Sequence, residues 1–159
     1  MKRFSFLMFL AIICTAFATE AIGATKIAIF VDGTIDESDK FVIESRVGTA
    51  LNGTGLTVLE RTQNFLDMVT KEQAYQLSGE VSPKEVCQLG ERWGATTVIA
   101  IYIVESRGTM VATAKIINVK TGRVLGTISN HRSCRTMDDV IVFASTLGVN
   151  LKRELKKSF

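Results

Sequence analysis

Apolar positions along this chain follow two repeating patterns. Between Met110 and Ile117 they alternate: Met110, Ala112, Ala114 and Ile116 share one phase, and Val111, Thr113, Lys115 and Ile117 the other. A period of two is a strand, with Lys115 marking its wetter face. Further on, Val140, Phe143, Leu147, Leu151 and Leu155 recur every three or four residues, which is one stripe of a helix. Thr136-Met137-Asp138-Asp139 stands before that stripe in the form of a capping box, where side-chain oxygens satisfy the first free N–H groups. Lys152, Arg153, Lys156 and Lys157 close it, at the end where cations suit the helix dipole.

The same two patterns divide the rest of the chain. Lys26 to Val31 is a compact apolar strand ended by Asp32-Gly33-Thr34. Asp36 to Asp39 can cap a helix whose inner side is Ile43, Val47, Ala50 and Leu51. Asn52-Gly53-Thr54-Gly55 is a turn signal before a short strand, Leu56 to Leu59. Thr62 is placed to cap a second helix carrying Phe65, Met68, Val69 and Leu77, with Gly79 at its end. Ser82-Pro83-Lys84-Glu85 opens a third, with Val86, Leu89 and Trp93 at helical spacing and Gly94 as the stop. Thr96 to Val104 is an almost unbroken run of β-formers, the pattern of a central strand buried on both faces. Ser106-Arg107-Gly108 and Lys120-Thr121-Gly122-Arg123 are turns between three consecutive strands. The last strand begins at Val124, and its polar end, Ser129 to Arg132, predicts a sheet edge or a frayed exit from the sheet. The order is β-α-β-α-α-β-β-β-α. It predicts an α+β fold, a mixed sheet of about five strands with helices packed on it, in a single domain over 24–159.

The first residues stand apart from this domain. Lys2-Arg3 precedes an apolar run from Phe4 to Ala18, and small residues follow. This is the pattern of a secretory signal peptide over residues 1–23, cut after Ala18 or Gly23. The run is shorter than the ~20 residues of a membrane span. Cys14 follows Ile13 rather than the small residue of a lipobox. A periplasmic or secreted protein without an integral membrane segment after processing is expected. The formal charge is +3. Removing Lys2, Arg3 and Glu20 leaves it near +2, too mild to imply a nucleic-acid or membrane-surface partner.

Candidate chemistry is sparse. Ile27 to Asp36 (IAIFVDGTID) imitates the first motif of haloacid-dehalogenase-type phosphatases, but Phe30 stands where the nucleophilic aspartate belongs. Cys87 and Cys134 can form one disulfide in an oxidising compartment or remain two buried thiols. His131 and Cys134 have a ligand-like spacing, yet with Cys87 they still lack a fourth zinc ligand. No metal and no cofactor are expected. A small hydrolase would have to draw on Asp32 and His131, and nothing in the sequence singles out a partner for either.

Several of these segments together resemble a known family. They are Glu60-Arg61, a helix containing Lys71-Glu72-Gln73, the exit Gln76-Leu77-Ser78-Gly79, and a second helix ending in Gly94-Ala95 before a hydrophobic strand. The hairpin Val119-Lys120-Thr121-Gly122-Arg123-Val124 completes the set. The pattern is similar to the curli assembly/transport component (CsgG) family and to the related domains of the penicillin-binding-protein activator LpoB and of TolB. The resemblance implies a non-catalytic envelope accessory protein that binds other envelope proteins. Glu60, Arg61 and Gln73 match its pattern and are either part of the partner surface or, for Glu60 and Arg61, a structural salt bridge and cap at the strand-to-helix junction. Strand addition at the edge of the meander, or a helix face, is the expected mode of binding. Two alternatives are a subunit of an oligomeric secretion ring and a small hydrolase.

Overall fold

The structure is a computed structural model that describes residues 25–53, 55–59 and 83–158. Strand β1 (Thr25–Gly33) pairs in parallel with short β2 (Leu56–Val58) on one side and with β3 (Thr97–Ser106) on the other. Two tight turns then carry the chain back and forth through β4 (Thr109–Asn118) and β5 (Val124–Ser133), both antiparallel to their neighbours. The sheet order is β2-β1-β3-β4-β5. Three helices are described: α1 (Glu37–Leu51), α2 (Pro83–Arg92) and α3 (Met137–Ser158). This is the α+β fold with a five-stranded mixed sheet that the periodicity predicts. The helix expected between Thr62 and Gly79 lies outside the described residues.

One face of the sheet carries the main core. Ile27, Ile29 and Val31 of β1, Ile99, Ile101 and Ile103 of β3, and Ala112, Ala114 and Ile116 of β4 point to it. Ile43, Val47 and Leu51 of α1 and Phe143, Leu147, Leu151 and Leu155 of α3 close over them. The two helices also pack on each other. A Cβ on Gly148 would stand 2.6 Å from the Ala50 side chain and 3.3 Å from the Val47 backbone, so only glycine allows this approach. Lys152 of α3 reaches across and donates to the carbonyl of Ala50 at 3.0 Å, which satisfies one of the free carbonyls at the end of α1.

Two local devices fix where elements begin and end. Gly33 has φ +137°, and a Cβ there would lie 1.8 Å from the Ile103 carbonyl oxygen. Glycine therefore lets the chain leave β1 while still pressed against β3. At α3 the expected capping box is formed. Thr136 N–H donates to Asp139 Oδ2 at 3.1 Å, and Asp139 N–H donates to Thr136 Oγ1 at 3.3 Å.

The opposite face has a smaller cluster of Ala28, Phe30, Val98, Ile117 and Val119, with Cys87 of α2 and Ala95 beyond it. Trp93 stacks flat on Phe30, with ring centroids 4.7 Å apart and planes 7° from parallel. The residue in the place of a phosphatase nucleophile is thus a packing ring.

One expectation is corrected here. The run 96–104 is not buried on both faces. Ile99, Ile101 and Ile103 are enclosed, whereas on the other side Val98 is buried, Ala100 and Tyr102 are half-buried and Val104 is exposed. Helix α2 has only ten residues, about 15 Å at 1.5 Å per residue, so it shields the start of β3 and not its end. Of the two readings left open for Cys87 and Cys134, the structure has the pair of buried thiols rather than the disulfide. They belong to the clusters on opposite faces, and the sheet stands between them.

Candidate interaction surface

Where α2 ends, the strands of its face continue without it. The register sets three rows of side chains across this half-face. Ala100 is opposite Lys115, and Lys115 opposite Thr127. Tyr102 lies between Asp32 and Thr113, with Ser129 beyond. Val104 is opposite Val111, and Val111 opposite His131. Alternation places these residues outward because their neighbours Ile101, Ile103, Ala112 and Ala114 point into the core. Val104 is 40% exposed and Val111 45%. The result is an apolar pair beside a tyrosine, rimmed by exposed Lys115, Ser129 and His131.

The neighbouring border of this surface is the edge of the sheet. No described strand pairs with the outer side of β5. Cys134 N–H donates to the Gly108 carbonyl at 2.8 Å, which sets the phase of the β4–β5 ladder. Even-numbered residues of β5 bond to β4, so the backbone groups of Thr127, Ser129, His131 and Ser133 point away from it. The strand bulges between Ile116 and Ile117 of β4, opposite its first residues, and runs regularly after that. The sheet edge expected at Ser129 to Arg132 is present, and it extends along the whole strand.

The groups whose pKa is shifted lie off these rows and serve the fold. Lys40 bridges Asp32 at 3.4 Å and Glu37 at 2.8 Å. The hydrogen bond with Glu37 is the main cause that raises the Lys40 pKa, against the desolvation that lowers it. Asp32 Oδ1 also accepts from the Gly33 N–H at 2.7 Å. Burial, and then the charge of Asp36, raise the carboxyl of Asp39. Asp139 is held below the usual carboxylate range, chiefly by the Arg135 N–H and then by the Thr136 hydroxyl. Burial raises both thiols, Cys87 and Cys134, above the ordinary cysteine value.

The structure separates the residues that a hydrolase or a metal site would have needed together. Asp32 is on β1 and His131 on β5, three strands away, about 14 Å at the usual strand spacing. His131 lies on the open face, while Cys134 packs in the main core on the other. Among the described residues no group of three His, Cys, Asp or Glu side chains could hold a metal ion. Glu60, Arg61 and Gln73 lie outside the described residues. Sequence reading missed the open half-face, because Val104 and Val111 are ordinary strand residues there. Among the described residues the signal was length: ten-residue α2 is shorter than ten-residue β3.

No family model matches the chain, and no curated protein matches it. Solved structures do. The chain is similar to the PelC dodecamer from Paraburkholderia phytofirmans, with a TM-score of 0.54 and 15% identity over 85% of this chain and 89% of that one. It is similar to lipoprotein GNA1162 from Neisseria meningitidis, with a TM-score of 0.51 and 16% identity over 84% and 95%. It is also similar to the LpoB C-terminal domain from Salmonella enterica, with a TM-score of 0.50 and 9% identity over 78% and 92%. What is shared is the fold. The LpoB part of the sequence resemblance therefore has a structural counterpart, while membership of the curli component family has no match behind it. At these identities the likeness carries no residue roles. No helix among the described residues is long and apolar enough to cross a membrane.

Proposed function

We propose that this protein is an exported, non-catalytic accessory protein of the cell envelope that works by binding another protein through the open half-face of its sheet. The observation that carries this reading is the exposed Val104–Val111 pair beside Tyr102, on strands whose other face packs in the main core. Two exposed apolar side chains with an aromatic neighbour and a polar rim are the makings of a small contact surface. The signal-peptide pattern of residues 1–23 supports export. The resemblance to envelope domains, and a lipoprotein among the solved structures of the same fold, support the compartment.

The test is photo-crosslinking in cells that make the protein. A crosslinker replacing Thr113 is compared with one replacing Thr49, which is exposed on the helical layer. A discrete protein adduct at position 113 that is lost in Val104→Asp/Val111→Asp is expected. No adduct at position 113, or equal adducts at both positions, would refute the reading.

A further inference from the structure

We propose that β5 is the seam of a two-fold homodimer, in which two copies join edge to edge into one continuous antiparallel sheet. This goes beyond the binding of a partner protein and uses the backbone edge of the sheet, which borders the open half-face. Strand β5 has the features of an edge left open for pairing. It is ten residues long, has no proline and no lysine, and its bulge is confined to the first residues. Native edges that avoid pairing are short or carry such blocks.

The register follows from the ladder. With the two-fold axis at Ser129, Ser129 faces its own copy and Thr127 faces His131. These are the residues whose backbone groups point away from β4, so their N–H and C=O groups pair across the seam. On the helical side of the sheet, Arg132 of one copy then stands opposite Gly126 of the other. Glu154 lies over that glycine, its Cγ 2.9 Å and its Oε1 3.4 Å from where a Cβ would be. Glu154 itself fills the space over Gly126, and its Oε2 already bridges Lys157 at 2.7 Å, so the guanidinium would join that pair from the partner's side through the remaining carboxylate oxygen. Within one copy Arg132 approaches Asp139 only to 4.0 Å, with its side chain 45% exposed.

Helix α3 repeats the same complementarity. It runs from Asp139, beside Arg132, to Glu154, beside Gly126, so it is antiparallel to β5. The two-fold axis sets the two α3 helices side by side and antiparallel. Asp139 and Lys157 are about five full turns apart and share one side of the helix. The acidic start of each helix therefore meets the basic end of the other, Arg153 and Lys157. Head-to-tail charge of this kind favours the antiparallel pair and disfavours a parallel one.

Sedimentation velocity of the purified full chain over a range of concentrations tests this. A dimer is expected. Ser129→Pro removes a donor that points away from β4, so each subunit keeps its own ladder, and the dimer should weaken at least about tenfold. Arg132→Glu should weaken it as well, and Arg132→Glu/Glu154→Arg should restore it, which keeps the proposal testable if the proline variant misfolds. A monomer at every concentration, a larger ring, or a dimer indifferent to both the proline and the charge reversal would overturn it. Crosslinking of a different protein at the open half-face is independent of this result.

Discussion

The two faces of the sheet are made of the same strands and have different fates. On one, α1 and the 22-residue α3 close over the strands, and Ile99, Ile101 and Ile103 of β3 and Met110, Ala112, Ala114 and Ile116 of β4 are buried. On the other, ten-residue α2 covers Val98, Ile117 and Val119 and leaves Val104 and Val111 in solvent. The covered face holds the fold together; the uncovered half-face adds little to stability and is available for contact. Substitutions should therefore separate by face rather than by element.

The largest effect belongs to the covered face. Phe143 is fully buried beneath α3, and Phe143→Ala should cost about 3–5 kcal/mol in denaturant unfolding. A loss below about 1 kcal/mol would mean that α3 is not the main lid. Next is the contact between the two helices. Gly148→Ala drives a methyl group into Ala50 and the Val47 backbone and should cost roughly 1–3 kcal/mol, read from the shift in urea midpoint.

A smaller effect is tied to pH. Asp139 accepts bonds from the Arg135 N–H and the Thr136 hydroxyl and is held below the usual carboxylate range. Folding thus favours its ionised form. The stability it gives is complete above the unfolded value and is lost as pH falls from there through the lower folded value. In Asp139→Asn, the melting temperature should fall less between about pH 5 and about pH 2 than it does in the parent protein. Equal slopes would remove Asp139 from the acid limb. The smallest change is expected at the open half-face, where Val104→Thr and Val111→Thr should each stay within about 0.5 kcal/mol of the parent.

Much of this asymmetry was legible in the sequence, but not all of it. The alternation of 110–117 and the stripe from Val140 to Leu155 placed β4 and α3 correctly, because each element is amphipathic and its period reports the side it buries. The Thr136–Asp139 cap was readable because it is local. The run 96–104 misled, since an unbroken apolar strand does not say how far its cover extends. The disulfide was open for a similar reason. Spacing along the chain says nothing about which face a cysteine takes, and Cys87 and Cys134 take different ones. The residues of the expected partner surface, Glu60, Arg61 and Gln73, had only the family resemblance to support them. The open half-face had no motif at all, since the exposure of Val104 and Val111 depends on tertiary placement rather than on any local pattern.

The central claim is that one sheet has a sealed face and a half-open one, and neighbouring residues of β3 report on each. Thiol labelling of Ile103→Cys and Val104→Cys in the folded, purified protein tests it directly, because native Cys87 and Cys134 are buried and contribute little background. The account predicts rapid labelling at position 104 and protection at position 103, which is fully buried in the core. Equal protection at both positions would show that the second face is also sealed, and would contradict the account.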